Sequence, residues 1–496
     1  MKKGVVVAAV AVIVLVGAAA AAVPLTETYV ASQIKSQMDK DGGVSAAKVE
    51  VGLFDRRLVF RDLKSRKSGT EFAAPRWEAT GLNWPLDELV KGNTPFTGFK
   101  VGDPLQARRI EVDDMRISPS GGDTIGFRSV VLEGVTLDRF EVPRGAAVPA
   151  DQNSAQGARL LNALAVDRFE MKDVISKGQT TGNTVGFQQL GGARLDRGRL
   201  GDLTLVNMEA TSSGGAAPAF KLEDVKMGGF DVRAVLKAMS DPSWQIGMPV
   251  GRVSVENASA RGFSGELLDR YGISLGSVTV DFAHEGTGVT RSSTRIDGFV
   301  MVPPSRGLEG MQMRMVMAAM SLKELKLALD CKGTEDRTKN ELTIDRCALT
   351  GPDLGELNLT GRLVNADPAF WQAMDKGTPL EAAGSSVALG EAKLVFADKS
   401  LLERAIAATA MVSGSTPAKT RLNMAEQVRR YQPPDVLITD DMTKLLETVA
   451  RFIEKGGNLT VEARPDPPFG LDKLGYLQQP GPDLVNVLGI TASLTP

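Results

Sequence analysis

Residues Leu58 to Ser65 read LVFRDLKS, a strand-like alternation that changes phase in mid-run. Leu58 and Phe60 keep the period of two, and then the apolar positions resume one place late, at Leu63. Successive side chains of a strand point to opposite faces, so such a slip turns the apolar set over unless the backbone compensates. The slip recurs in IEVDDMRI (Ile110–Ile117), VVLEGVTL (Val130–Leu137), FEMKDVIS (Phe169–Ser176), LTLVNMEA (Leu203–Ala210) and FKLEDVKM (Phe220–Met227). It is weaker in VSVENASA (Val253–Ala260), and LTIDRCAL (Leu342–Leu349) keeps the phase with Arg346 at the special place. The slipped residues are Asp62, Asp114, Gly134, Asp173, Asn207, Asp224 and Asn257. Asp, Asn and Gly tolerate the backbone of an inserted residue, so each is expected to be a β-bulge or strand-end kink with apolar neighbours on one face. Bulges sharpen twist, and their repetition predicts an elongated, strongly curved antiparallel sheet.

Composition narrows the chemistry. The 496 residues carry a net charge of −2 and no basic block, which argues against nucleic acid as a partner. Aromatics are 5% and glycines number 52, which suits repetitive β-structure. The single histidine, His284, sits in the polar strand end DFAHEGTG. One imidazole and two thiols leave no material for a multi-histidine zinc site, and His284 is read as an exposed turn residue rather than as a histidine acting alone in catalysis. No P-loop, GxGxxG or GxSxG is present; the SxxK match Ser32–Lys35 lacks its companion signatures. The pairs Asp113–Asp114 and Asp440–Asp441 have structural readings, as a slipped strand and a helix start. Carboxylate-only catalysis offers no selectable pair. No catalytic, cofactor-binding or metal-binding residue is therefore assigned, and the chain is read as a non-enzyme without a cofactor.

Lys2 and Lys3 precede an uncharged run, Gly4 to Val23, closed by Pro24. As a helix of ~1.5 Å rise per residue it just spans a hydrocarbon core of ~30 Å. With the lysines on the cytoplasmic side, everything after Pro24 lies outside. The expectation is a single-pass anchor in a bacterial inner membrane with the bulk of the chain in the periplasm. A cleaved signal peptide, with Ala19 and Ala21 near the cut, is the alternative. Both place Cys331 and Cys347 in an oxidising space, on two strand-like runs joined by a polar loop. A hairpin disulfide is expected there, worth about 3 kcal/mol, against the alternative of two free thiols.

The fold class is mainly β with helical insertions (α+β). Residues 1–40 form the anchor and a juxtamembrane helix, with Val30, Ile34 and Met38 on one stripe. Residues 41–386 form the repetitive sheet, interrupted by helices at Trp84–Gly92, Asp231–Asp241 and Pro368–Gly377. Residues 387–496 form a C-terminal α/β module whose helices include DKSLLERAIAATAMVSG, RLNMAEQVRRYQ and DDMTKLLETVARFIEKGG.

The basic start, the anchor, the short helix and the stretch VEVGLFDRRLVFRDLKS, followed by slipped strands as far as about Leu363, resemble the bacterial AsmA-like group. That group looks like the prokaryotic side of the chorein-type, bridge-like lipid-transfer proteins. The closest stretch is Val49 to Lys64; the shorter chain and the helical C-terminal module depart from the larger members. The resemblance implies a curved sheet with an apolar inner face, tied to the inner membrane and acting in envelope lipid or outer-membrane homeostasis. Together with the apolar alternation it nominates a lipid groove lined by Leu58, Phe60, Ile110, Val112, Val130, Leu132, Phe220 and Leu222. The rival function is a periplasmic scaffold or accessory subunit that binds an envelope protein. Whether the groove is open to acyl chains or filled by the chain's own helices stays open at this stage.

Overall fold

The structure is a computed structural model that describes residues 26–36, 38–40, 43–67, 70–83, 103–119, 123–140, 159–178, 182–213, 218–233, 255–286, 288–376, 386–432, 438–473 and 483–495. The expected anchor at Gly4–Val23 and helix at Trp84–Gly92 lie outside the described residues, as does most of Asp231–Asp241. Among the described residues no helix is long and apolar enough to cross a membrane. The protein is mainly antiparallel β with helices, and it divides into two compact units. The first comprises Met1–Ala219 and Asp224–Gln245, the second Phe220–Glu223 and Ile246–Pro496, a division that falls within one strand.

In the first unit β2 (Lys48–Gly52), β3 (Arg57–Lys67), β4 (Thr70–Thr80), β5 (Leu105–Pro119), β6 (Thr124–Leu137), β7 (Leu164–Lys177), β8 (Thr184–Asp196) and β9 (Arg199–Thr211) pair in sequence order as an open meander. β10 (Phe220–Asp231) follows β9. Five of the slipped positions have the left-handed backbone: Asp62, Asp114, Gly134, Asp173 and Asn207, with φ between 47° and 61°. At Gly134 a Cβ would also come within 1.9 Å of the Asp167 carboxylate, so a larger residue there would have to displace that side chain.

These residues are not one-sided insertions. Partners run from Leu58↔Ala79 to Lys67↔Thr70 across Asp62 without gaining or losing a residue, and each following pair behaves the same way. The register survives because neighbouring strands slip at the same level. Asp62, Pro75, Asp114, Arg128, Asp173, Gln188 and Asn207 form one row across the sheet. Gly81, Arg108, Gly134, Asp167, Arg194 and Gly201 form a second, six residues away along each strand (108 and 114 in β5, 128 and 134 in β6). From β3 to β9 each strand takes the left-handed conformation at the second row it crosses, including Gly81 just past β4 and Arg194 in β8. Pro75 sits in the first row, where an interior strand tolerates a residue without an N–H. Side chains also bond along this row: Arg128 pairs with Asp173, and the Asn207 amide donates to Gln188 at 2.6 Å.

The slips keep the apolar residues together. Leu58, Phe60 and Leu63 of β3 share one core with Ala107, Ile110 and Val112 of β5 and with Val130 and Val135 of β6. Over them lies the helix of residues 26–36, continued at 38–40, whose Val30, Ile34 and Met38 are buried as their spacing of four predicts. The helix is tied down at both ends. Glu27 accepts the Leu53 N–H at 2.9 Å, and the Lys35 ammonium donates to the Ala46 carbonyl at 3.0 Å.

Two slipped positions need correction. Asp224 and Asn257 do not take the left-handed backbone; Gly229 and Gly262, five residues further on, do. The pattern holds there in another phase. VKMGGF and ASARGF each carry the pattern apolar, any, apolar, any, left-handed residue, apolar, if small residues are admitted as apolar.

In the second unit β11 (Asn257–Phe263), β12 (Ile273–Glu285), β13 (Val289–Met301), β14 (Leu325–Asp336), β15 (Glu341–Gly351), β16 (Gly355–Val364), β17 (Ala388–Asp398), β18 (Asn458–Ala463) and β20 (Ile490–Thr495) form another meander. β19 (Phe469–Gly470) lies beside β17. One kink row, Gly262, Gly276 and Gly298, crosses β11 to β13. β14 does not share it, and the register shifts between Ile296 and Phe299. True bulges follow at Asp345–Arg346 in β15 and near Gly390 in β17, each marked by a shift against its neighbour. A shared kink preserves register, while a kink in one strand alone becomes a bulge. β17, which opens the expected C-terminal module at 387–496, pairs along its length with β16.

Candidate functional site

In this mainly β chain the apolar faces are the natural candidates for a site. Leu58, Phe60, Ile110, Val112, Val130 and Leu132 all lie between the two kink rows, and all six belong to the core beneath the helix of residues 26–36. Leu58 has no exposed surface and Phe60 only 2%. The groove there is filled, and Val30, Ile34 and Met38 of the helix next to the expected anchor fill it. Phe220 is partly exposed and meets Phe263 edge-on at 6.5 Å, while Leu222 is buried.

The second unit carries a comparable face with less cover. One ladder of directly opposed residues runs Leu329–Leu349–Leu357–Phe396–Leu459–Leu494, and the next runs Cys331–Cys347–Leu359–Leu394–Val461–Ala492. Opposed residues share a face, and apolar pairs on it support one another. Helices close the two ends of this face. At one, Phe452 of the helix Asp440–Lys455 packs on Phe396 with ring centres 5.7 Å apart. At the other, Phe370, Trp371 and Ala373 of the helix Pro368–Lys376 pack with Leu342 and Leu363. Between them Leu349, Leu357, Leu359 and Leu394 remain 39%, 37%, 36% and 37% exposed.

The covering helices are held by polar contacts. Asp367 caps Pro368–Lys376, accepting from the Phe370 N–H at 2.8 Å and from Ser386, which holds its carboxyl below the ordinary range. Arg337 pairs with Asp375 at 2.6 Å and lies 5.0 Å from the Trp371 ring centre. Asp440–Lys455 is capped by Thr439, not by the Asp440–Asp441 pair, and Asp441 pairs with Lys444. Its other face meets the helix Pro417–Arg429, where Arg429 bridges Glu447 and Glu454 at 2.8 and 2.7 Å and lowers both carboxyl pKa values. Asp398, not Ser400, supplies the side-chain bond that caps Leu401–Ser413, to the Leu402 N–H.

Cys331 and Cys347 are disulfide-bonded and stand directly opposite each other within the second ladder. The other motif residues have structural partners. The His284 Nδ1 is 3.1 Å from the Thr290 hydroxyl, Ser32 donates to the Tyr29 carbonyl, and Asp113 accepts from Arg76 at 2.9 Å. Among the described residues no three His, Cys, Asp or Glu side chains are grouped as metal ligands. The open leucines were missed because LNLTGRL and AKLVFAD read like any other alternating strand. Their alternation was visible, whereas the helix cover that distinguishes them is set by tertiary packing.

A family model described only as an uncharacterized protein matches residues 348–495, from the end of β15 to β20. No curated protein matches the chain. The matched segment includes Leu349, Leu357, Leu359 and Leu394 together with the helices that bound them.

Proposed function

We propose that this chain is a non-catalytic protein of the bacterial cell envelope, anchored in the inner membrane by Gly4–Val23 with its body in the periplasm, that handles or bridges lipids on an apolar β-face. The observation that carries the reading is the strip of four leucines left partly bare between two covered ends. Monomeric proteins rarely leave contiguous apolar surface without a use, and each methylene buried there contributes about 0.8 kcal/mol before ordering costs. A lipid tail needs no charged residue to be held in this way. The elongated, strongly curved shape and the resemblance to AsmA-like proteins belong to the same proposal.

The test is lipid extraction from the purified periplasmic body. Co-purifying phospholipid is expected, and Leu357→Asp or Leu394→Asp should abolish it in a folded protein. A lipid-free wild type, or unchanged lipid in both variants, would sink the reading. The scaffold alternative draws on the helix Leu308–Ala319, where Leu308, Met311 and Met315 are exposed along one stripe. Reproducible capture of one envelope protein without lipid, lost on Leu308→Asp, would favour it.

A further inference from the structure

The same helix holds an unusual run, MQMRMVM, with methionines at 311, 313, 315 and 317 and a fifth at Met320 just past its end. At about 100° per residue, alternate positions fall on opposite sides of a helix. Met313, Met317 and Met320 therefore make one stripe, and Met311 and Met315 another. Exposure differs between them: Met317 is 5% exposed and Met313 and Met320 are half-buried, whereas Met311 and Met315 are 46% and 64% exposed. The helix packs against Leu401–Ser413, and Arg404 of that helix donates to the carbonyls of Met320 and Ser321. The outer stripe also carries Leu308, so its surface is apolar and rich in thioether.

We propose that Met311 and Met315 form an oxidation site for peroxide, selective against the methionines of the inner stripe. The thioether lone pair attacks one peroxide oxygen, the O–O bond breaks as the S–O bond forms, and the other oxygen leaves as water. Sulfur loses two electrons, and hydrogen peroxide takes them. The sulfoxide is polar, so two such events convert the exposed apolar stripe into a hydrated one while leaving the inner stripe packed. The inference is independent of lipid binding. It concerns a surface that faces solvent whatever occupies the leucine strip.

The sequence supplies an internal control. Cleavage at Arg306, Arg314 and Lys323 gives one peptide with Met311 and Met313 and another with Met315, Met317 and Met320. The folded protein is treated with graded hydrogen peroxide, digested, and each added oxygen is located by fragmentation. Met311 and Met315 should gain oxygen at least about tenfold faster than Met317, and the selectivity should vanish in urea. Met311→Leu/Met315→Leu should remove the fast phase from both peptides and leave oxidation at the exposed Met411 unchanged. Equal rates for outer and inner methionines in the folded protein, or no reaction at either outer one, overturn the proposal.

Discussion

The β3–β6 face of the first unit and the β15–β17 face of the second are built from the same kind of strand and meet different fates. Both align apolar residues across neighbouring strands on one side of an antiparallel meander. In the first, Val30, Ile34 and Met38 close the face, and Leu58, Phe60 and Val130 are buried. In the second, helices cover the two ends and leave Leu349, Leu357, Leu359 and Leu394 more than a third exposed. Alternation therefore shows which side of a strand is apolar. Whether that side becomes a core or a surface depends on what the rest of the chain lays over it.

The sharpest way to break this contrast is to put the same charge on both faces. Val130→Asp buries a carboxylate among apolar neighbours and should cost about 3–5 kcal/mol, read as a lowered urea midpoint for the first unit. Leu357→Asp can hydrate its charge and should cost no more than about 1–2 kcal/mol. Equal losses would mean that the leucine strip is as closed as the first core. Next in size is the disulfide. Cys331→Ala/Cys347→Ala should destabilise the second unit by about 3 kcal/mol and leave the first unchanged, a result that separate unfolding transitions would reveal. A kink in the first unit should respond more weakly. Asp114→Val forces a β-branched residue into the left-handed region and should cost about 1–2 kcal/mol, while Asp114→Gly should stay within about 0.5 kcal/mol.

The smallest expected effect is acid sensitivity of the second unit. Asp367, Glu447 and Glu454 all have folded pKa values below their ordinary ones. Each contributes stability that is fully present above the unfolded pKa and lost as pH falls through the folded value. The urea midpoint of that unit should be flat from about pH 7 to 5 and fall below about pH 4. Replacing Glu454 by Gln should reduce the fall; an unchanged profile would show that the Glu454 arm of the Arg429 bridge contributes nothing.

How far the sequence could be read depended on the range of the interactions. The left-handed kinks were legible where Asp62, Asp114, Gly134, Asp173 and Asn207 stood out against bulky apolar neighbours. They were missed at Gly81 and Arg194, and misplaced in β10 and β11, where small residues or an arginine blurred the pattern. The hairpin disulfide was legible because Cys331 and Cys347 lie close in sequence on two recognisable strands. The Asp62 and Asp114 slips were expected as insertions in single strands. Their alignment in rows depends on pairing between strands, which no local window contains. The cover over Leu58 and the lack of it over Leu357 are likewise long-range outcomes.

The two kink rows also bear on how such a sheet changes size. Each strand of the first unit repeats one local rule, so a duplicated hairpin arrives with its kinks already at the correct levels. Copying a pair of strands lengthens the sheet without renegotiating a single partner. Adding or deleting one residue between the rows of one strand would set that strand's corners out of line with both neighbours. Growth by copied hairpins is therefore cheap, while change in the spacing of six is resisted. In such an architecture, length is the trait most free to drift and the interval between corners the one most tightly held.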